Sequence, residues 1–218
     1  MRKETMAERA YQIIKNEIIF GEMKLGEEID QKMLAKSLGY NSVTPIRESL
    51  IQLQKEKLVK ILPRRGIYVA DVSIEDVMEN YQLREIIEPT VFSATAMLLP
   101  AGTIAKYCEM FSKYKSDQKV NEFNLKEYLQ NDMDFHLDLL RPLGNKSLDS
   151  ILRGLYEQNT RYRMACIRMR EANDMLDEHI AILSALEQKD TTTAVEALKT
   201  HITNSKSAFL PNNNIRFI

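Results

Sequence analysis

The sequence predicts a mainly α-helical protein in two parts: an N-terminal winged helix-turn-helix over 1–72 and a C-terminal all-α antiparallel helical bundle over 73–218. Three observations predict it. Three short amphipathic segments precede two β-branched runs that flank a turn. After about residue 73 the strand signal disappears. Short breakers then divide the remaining chain into six helical stretches, which short connections fold back antiparallel.

The first helix is expected over about 4–20, where Ala10, Ile14 and Ile18 recur every four residues and Ile13 widens the stripe. Gly21 and Gly26 bracket a loop, and Asp30 can N-cap a second helix over about 31–38 with Met33, Leu34 and Leu38 on its apolar side. Gly39 suits the left-handed residue that ends it. Ser42 is an N-cap for a third helix over about 43–57, with Pro45 in the first turn and Ile46, Leu50 and Leu53 buried. Leu58–Leu62 and Gly66–Ala70 then read as a β-hairpin around Pro63-Arg64-Arg65. A helix from Ser73 is expected to run to about 98 with an interruption at Pro89; the later stretches fall near 103–117, 121–141, 147–170, 172–188 and 191–209, with Asn173 among the breakers. No Gly- or Ser-rich linker separates the two parts, and the last eight residues lack periodicity.

Composition places the chain among ordinary soluble proteins: 44% hydrophobic, 28% charged, net charge −1. No run approaches the ~20 apolar residues of a membrane span, and the charged N-terminus lacks a signal-peptide core. A cytoplasmic protein without membrane contact is expected, with Cys108 and Cys166 as reduced core residues. Charge is uneven: residues 1–72 hold 13 Lys+Arg against 10 Asp+Glu, and the basic excess gathers in 55–65. Such a local patch attracts phosphate more than overall charge does, although on charge alone a solvated basic face is the favoured reading.

The motifs of this first part resemble the GntR family of bacterial repressors. Leu34-Ala35-Lys-Ser-Leu38-Gly39, Thr44-Pro45-Ile46-Arg47-Glu48-Ser-Leu50, Glu56-Lys-Leu58-Val59 and Pro63-Arg-Arg-Gly66-Ile-Tyr-Val69 occur in order and span nearly all of 10–70. The resemblance implies a homodimer that reads double-stranded operator DNA through Lys32, Ser42, Thr44, Arg47, Arg64, Arg65 and Gly66. The residue chemistry agrees: an Arg fork grips guanine or phosphate, and hydroxyls at a helix N-terminus favour phosphate. Ser42 serves equally as a cap, and Arg47 has an alternative partner in any nearby carboxylate. One departure stands out. The family turn LGxSRTP is here Leu38-Gly-Tyr-Asn-Ser-Val-Thr-Pro45, one residue longer, with Val43 where a base-reading Arg is common. Val43 offers a thymine-methyl contact instead.

All three histidines fall in the second part. His136 follows Asp132 by four on a predicted helix, so both share a face; His179 and His201 lie on the last two helices. A lone His is usually a satisfied core or surface residue. Together with one carboxylate, three imidazoles make a divalent-metal site, Zn²⁺ first and Ni²⁺ or Mn²⁺ behind it. Asp132-Met-Asp-Phe-His136, Gly144-Asn145, Glu178-His179-Ile-Ala-Ile-Leu and Ala194…His201 resemble the FCD effector domain attached to many GntR regulators, whose metal-binding members hold the ion with one Asp and three His. Leu83-Arg84-Glu85…Glu88 resembles that domain's opening helix, which implies that Arg84 meets an effector carboxylate; a surface ion pair is the alternative. Arg161 and Arg163 are further effector candidates that serve equally to stabilise a helix face.

The expected function is a ligand-responsive transcription regulator, a repressor that binds a metal and a small organic acid. A metal-dependent enzyme using the same four residues and a regulator sensing the metal itself are the alternatives. Against the enzyme, no HExxH, GxSxG or Gly-rich phosphate loop is present.

Overall fold

The computed structural model describes residues 4–116, 124–166 and 169–209, without the side chains of 166 and 169–172. The expectations for Cys166 and for the last eight residues lie outside the described residues. The chain divides into two compact units, with the boundary between Val72 and Ser73.

In the first unit, α1 (Met6–Ile19) opens with a capping box in which Thr5 and Glu8 satisfy each other's backbone N–H groups. Helix α2 (Gln31–Ser37) starts on Asp30, whose carboxylate accepts from the Lys32 and Met33 amides at 2.7 and 3.1 Å. Gly39 follows it at φ +73°, the conformation that ends helices at low cost for glycine. Helix α3 (Thr44–Lys55) packs on α1, and Ala10, Ile14, Ile18, Ile46, Leu50 and Leu53 form the centre of the core. Two expectations need correction. Val43, not Ser42, occupies the N-cap position of α3; the Ser42 hydroxyl accepts from the Thr44 amide at 3.2 Å one position earlier, because the longer turn shifts the helix start. Met33 is exposed, and Ala35 is the residue of α2 that is buried, since a seven-residue helix reaches the core along only a narrow line.

Strands β1 (Val59–Leu62) and β2 (Gly66–Val69) pair antiparallel, Val59 opposite Val69 and Leu62 opposite Gly66. The period-2 pattern did not announce a third contributor. Residues 26–29 run along the other edge of β2, with Ile29 N–H donating to Ile67 O at 2.7 Å and Val69 N–H to Glu27 O at 2.9 Å. The wing is therefore held to the core on both edges, which leaves its tip as the part facing outward.

In the second unit, Ser73 and Asp76 form a capping box for α4 (Ile74–Thr95). The helix passes through Pro89 without the interruption its sequence suggests. Tyr81, Glu88, Pro89 and Phe92 are all buried against neighbouring helices, and that packing outweighs one lost backbone hydrogen bond. A 3-10 turn (Ala96–Leu98) leads to α5 (Ala101–Ser116), then α6 (Leu125–Leu140), a second 3-10 turn (Arg141–Leu143), α7 (Lys146–Cys166), α8 (Met169–Glu187) and α9 (Thr191–Ser207). Asn173, read as a breaker, lies inside α8. Its propensity deficit is only a few tenths of a kcal/mol, less than the burial of Met175, Leu176, Ile182 and Leu183 on the same helix returns. Helix α9 packs on α8 and α4, α5 on α8, and α6 on α7 and α4. This arrangement turns one face of α4, α6, α8 and α9 toward a shared interior. Cys108 on α5 is half-buried and free, not the core residue expected. No helix among the described residues is long and apolar enough to cross a membrane.

Candidate functional site

Two surfaces collect the residues singled out above. On the first unit, Lys32, Ser42, Thr44, Arg47, Arg64 and Arg65 are exposed. The side chains of Lys32, Arg47, Arg64 and Arg65 make no hydrogen bond or ion pair among the described residues, so the carboxylate partner considered for Arg47 is absent there. A shallow groove of about 350 Å³ brings Lys32, Ser42 and Val43 together with Lys36, Tyr40 and Asn41. Val43 itself is half-buried against the core, which limits it to an edge contact. The longer turn has a use of its own: Tyr40 donates its hydroxyl to the Met6 carbonyl at 3.0 Å, tying the turn to α1. Lys36 and Asn41 lie within the quoted motif stretches but were not singled out there; their place beside the groove follows from the turn's course.

At the wing tip Arg64 sits at φ +62°, a left-handed position unusual for a residue with a Cβ, and Gly66 at φ +121°. A Cβ on Gly66 would lie 3.0 Å from the Glu28 carboxylate and 3.1 Å from the Tyr68 hydroxyl. Glycine is required there on both grounds. Tyr68 also donates to the Arg65 carbonyl at 2.7 Å, which shapes the tip that presents the two arginines.

The second site lies inside the other unit. Asp132 and His136 from α6, His179 from α8 and His201 from α9 are all buried, and one ligand atom from each lies within 4.8 Å of the other three. His136 Nε2 is 3.2 Å from His201 Nε2, and His179 Nε2 is 3.2 Å from Asp132 Oδ1. A tetrahedral ion with bonds of about 2.0–2.1 Å places its ligands about 3.3–3.4 Å apart, so these separations fit one.

Proton bookkeeping points the same way. His201 Nδ1 is 2.8 Å from Glu178 Oε2; a carboxylate only accepts, so Nδ1 carries the hydrogen. Burial lowers the pKa of His201 despite Glu178, and burial together with His201 lowers that of His179 far below the usual value, so both rings are neutral. His201 Nε2 is then a bare lone pair. His136 faces that lone pair with Nε2 and the Glu88 carboxylate with Nδ1, at 3.4 Å. One ring proton cannot serve both. A second proton or a cation resolves the conflict, and the cation has two further donors aimed at the same point.

Charged neighbours hold the four in place. Arg163 of α7 pairs with Asp132 Oδ2. Burial raises the pKa of Asp132, but the Arg163 guanidinium outweighs it and keeps the group far below the usual range. Arg84 is not at the surface: it is buried, joined to Glu88 at 2.5 Å and placed between the rings of Tyr81 and Tyr156, 5.1 and 4.8 Å from their centroids. Burial pushes Glu88 up as well, yet Arg84 and His136 bring it down to about 2. His179 stacks on Phe111 at 4.7 Å, with Phe135 at 5.2 Å edge-on. Arg161 is buried too, with its guanidinium 3.4 Å from the side-chain oxygen of Gln158. Glu88 and Glu178 had no assigned role at the sequence level. The signals were there, an Arg84–Glu88 spacing of four and a carboxylate beside His179, but only the packing shows that each faces one nitrogen of a histidine in the cluster.

Comparison with known proteins follows the same division. Residues 6–69 match the family model described as bacterial regulatory proteins, gntR family, and residues 79–204 match the FCD domain. The chain is 25% identical over 205 residues to the HTH-type transcriptional repressor GlaR of Escherichia coli K12, covering 88% of this chain and 90% of that protein. It is 25% identical over 202 residues to the repressor RspR of the same organism, covering 89% and 85%. In fold it is similar to E. coli McbR/YncC, with a TM-score of 0.79 at 19% identity over 95% of this chain and 98% of the other. A GntR regulator from Rhodococcus sp. RHA1 aligns with a TM-score of 0.80 at 19% identity over 93% and 96%.

Proposed function

The chain belongs to the gntR family of bacterial regulatory proteins and carries its FCD domain, and from that premise we propose that it is a ligand-responsive repressor whose bundle binds a divalent metal and a small organic acid. The observation that carries the reading is the buried group Asp132, His136, His179 and His201, with its unresolved proton at His136. These four would hold the ion, with Zn²⁺ first by donor set and Ni²⁺ or Mn²⁺ next. When bound, the ion supplies a Lewis-acid centre for an effector carboxylate. Glu178 and Glu88 fix the histidine tautomers, and Arg163 holds Asp132 so that one carboxylate oxygen remains free for the ion. Arg84 and Arg163 supply positive charge beside the site for an anion.

On the first unit, Lys32, Ser42, Thr44, Arg47, Arg64, Arg65 and Gly66 form the DNA-reading set. The N-terminal end of α3 would enter the major groove and the wing tip would meet the backbone or minor groove. Two such units in a homodimer would read a short palindrome. An effector regulates operator binding only if it binds one state of the protein better than the other.

The test is a fluorescence-anisotropy titration of operator DNA, first with metal alone and then with organic acids at fixed metal. A response that requires the acid supports this reading; a full response to metal alone makes the ion itself the signal. Metal content of the double variant His136→Ala/His179→Ala should fall to background, and retained stoichiometry would misplace the site.

A further inference from the structure

The turn joining α2 to α3 carries its extra residue beside two lysines that have no counter-charge. Lys32 and Lys36 stand four apart on α2, so their side chains share one face and repel each other. Neither side chain makes a hydrogen bond or ion pair among the described residues. Elsewhere Lys15, Lys60 and Lys206 each hold a carboxylate at 2.8–2.9 Å. The acid nearest Lys32 in sequence, Asp30, is engaged by the backbone amides of Lys32 and Met33. The groove that both lysines line has no acidic residue in its wall. Two like charges in one groove without a counter-charge suit an anion.

Asn41, on the same wall, is the second observation. Its neighbours are fixed. The Gly39 amide donates to the Lys36 carbonyl at 3.1 Å and the Tyr40 amide to the Ala35 carbonyl at 2.8 Å, while Ser42 Oγ accepts from the Thr44 amide. Asn41 itself is exposed, and its side-chain amide makes no hydrogen bond among the described residues. Asparagine is commonly chosen at such places to cap a helix or to take a left-handed backbone. Here Val43 holds the N-cap position of α3, and Asn41 is not at positive φ. What remains is its chemistry: two N–H donors on the wall of a basic groove.

We infer that Lys36 and Asn41, together with Lys32, grip a backbone phosphate of duplex DNA. The lysines supply the ionic attraction and the Asn41 amide a directed hydrogen bond to a phosphate oxygen. Such a contact sets the position of the protein on the duplex and carries no base preference. The placement agrees: the first helix of a helix-turn-helix crosses the sugar-phosphate backbone while the second enters the major groove, and α2 and α3 hold those two places. Tyr40, bonded to the Met6 carbonyl, holds the longer turn against α1 and so keeps Asn41 beside the lysines. The inference rests on the DNA-binding reading of the first unit and adds two residues to it, with phosphate as their target.

The test titrates full-length protein against fluorescein-labelled duplexes of about three helical turns, one of A·T pairs only and one of G·C pairs only, over a salt series. Lys36→Ala should flatten the slope of log affinity against log salt by about 0.9, the value of one phosphate contact. Asn41→Ala should weaken binding about 5- to 10-fold with the slope kept. Asn41→Asp should weaken it further, because a carboxylate then faces the phosphate. Each loss should be equal on the two duplexes, which carry the same phosphates. Thermal unfolding should stay at the wild-type value, since both side chains are exposed. A wild-type salt slope in Lys36→Ala, or wild-type affinity in Asn41→Asp, overturns the inference. A loss confined to one duplex also overturns it and makes these residues base readers. The double variant Arg64→Ala/Arg65→Ala checks the parent reading. If it weakens binding while Lys36→Ala and Asn41→Asp do not, the clamp fails and the DNA-binding reading stands; if none of the three alters binding, both fail.

Discussion

The two units bury different chemistry. Within the first, the buried set is apolar apart from Ser49, and every cation proposed to meet DNA stands in solvent. Within the second, Arg84, Glu88, Asp132, Arg163 and three histidines are buried among aromatic rings. The difference follows from the size of what each reads. DNA is larger than the domain, so its contacts must lie on the outside and can be lost without disturbing the core. A small acid or an ion can be enclosed, and enclosing it places uncompensated polar groups where the fold depends on them.

Substitutions should separate the units accordingly. The largest effect is expected from Arg84→Ala, which leaves Glu88 charged and buried without its partner: a loss of about 3–5 kcal/mol of stability, read by thermal unfolding of the metal-free protein. An unchanged transition would mean the pair is solvated and the contrast between the units false. Arg47→Ala should do the opposite, weakening operator binding by about 1–3 kcal/mol while leaving the unfolding curve within about 0.5 kcal/mol of wild type. Unaltered DNA affinity would remove Arg47 from the reading set. Glu178→Gln should weaken metal binding about 10- to 100-fold in a chelator competition, with operator affinity of the metal-loaded protein retained.

The last effect concerns pH. The folded bundle holds His179 and His201 with lowered pKa values, so below about 6.5 the unfolded chain binds more protons than the folded one. Stability of metal-free protein should then fall as pH drops from 7 toward 5, by up to about 1.4 kcal/mol per pH unit for each proton concerned. The first unit has no histidine and should show no such slope. Equal acid sensitivity of signals from both units would break the comparison.

Local pattern was enough for the elements that local interactions decide. The cap at Asp30, the glycine stop at Gly39, the hairpin around Pro63–Arg65 and the capping box at Ser73 all depend on residues within a few positions of one another. The same pattern misled where packing overrode propensity. Pro89 and Asn173 read as breaks yet lie inside buried helices, and Met33 fits an apolar stripe yet points outward. Asp132, His136, His179 and His201 could be singled out by type and family spacing, but periodicity along separate helices cannot measure the distance between them.

What the sequence determined by itself was the fold class, the order of elements and the identity of the residues with chemistry to offer, because these are written in local period and residue type. Only the tertiary structure decided that Arg84 turns inward to Glu88 and that Glu178 and Glu88 stand behind two of the histidines. Those outcomes depend on which helix faces which, and that is set by the packing of residues far apart in the chain, 121 positions in the Glu85–Lys206 pair.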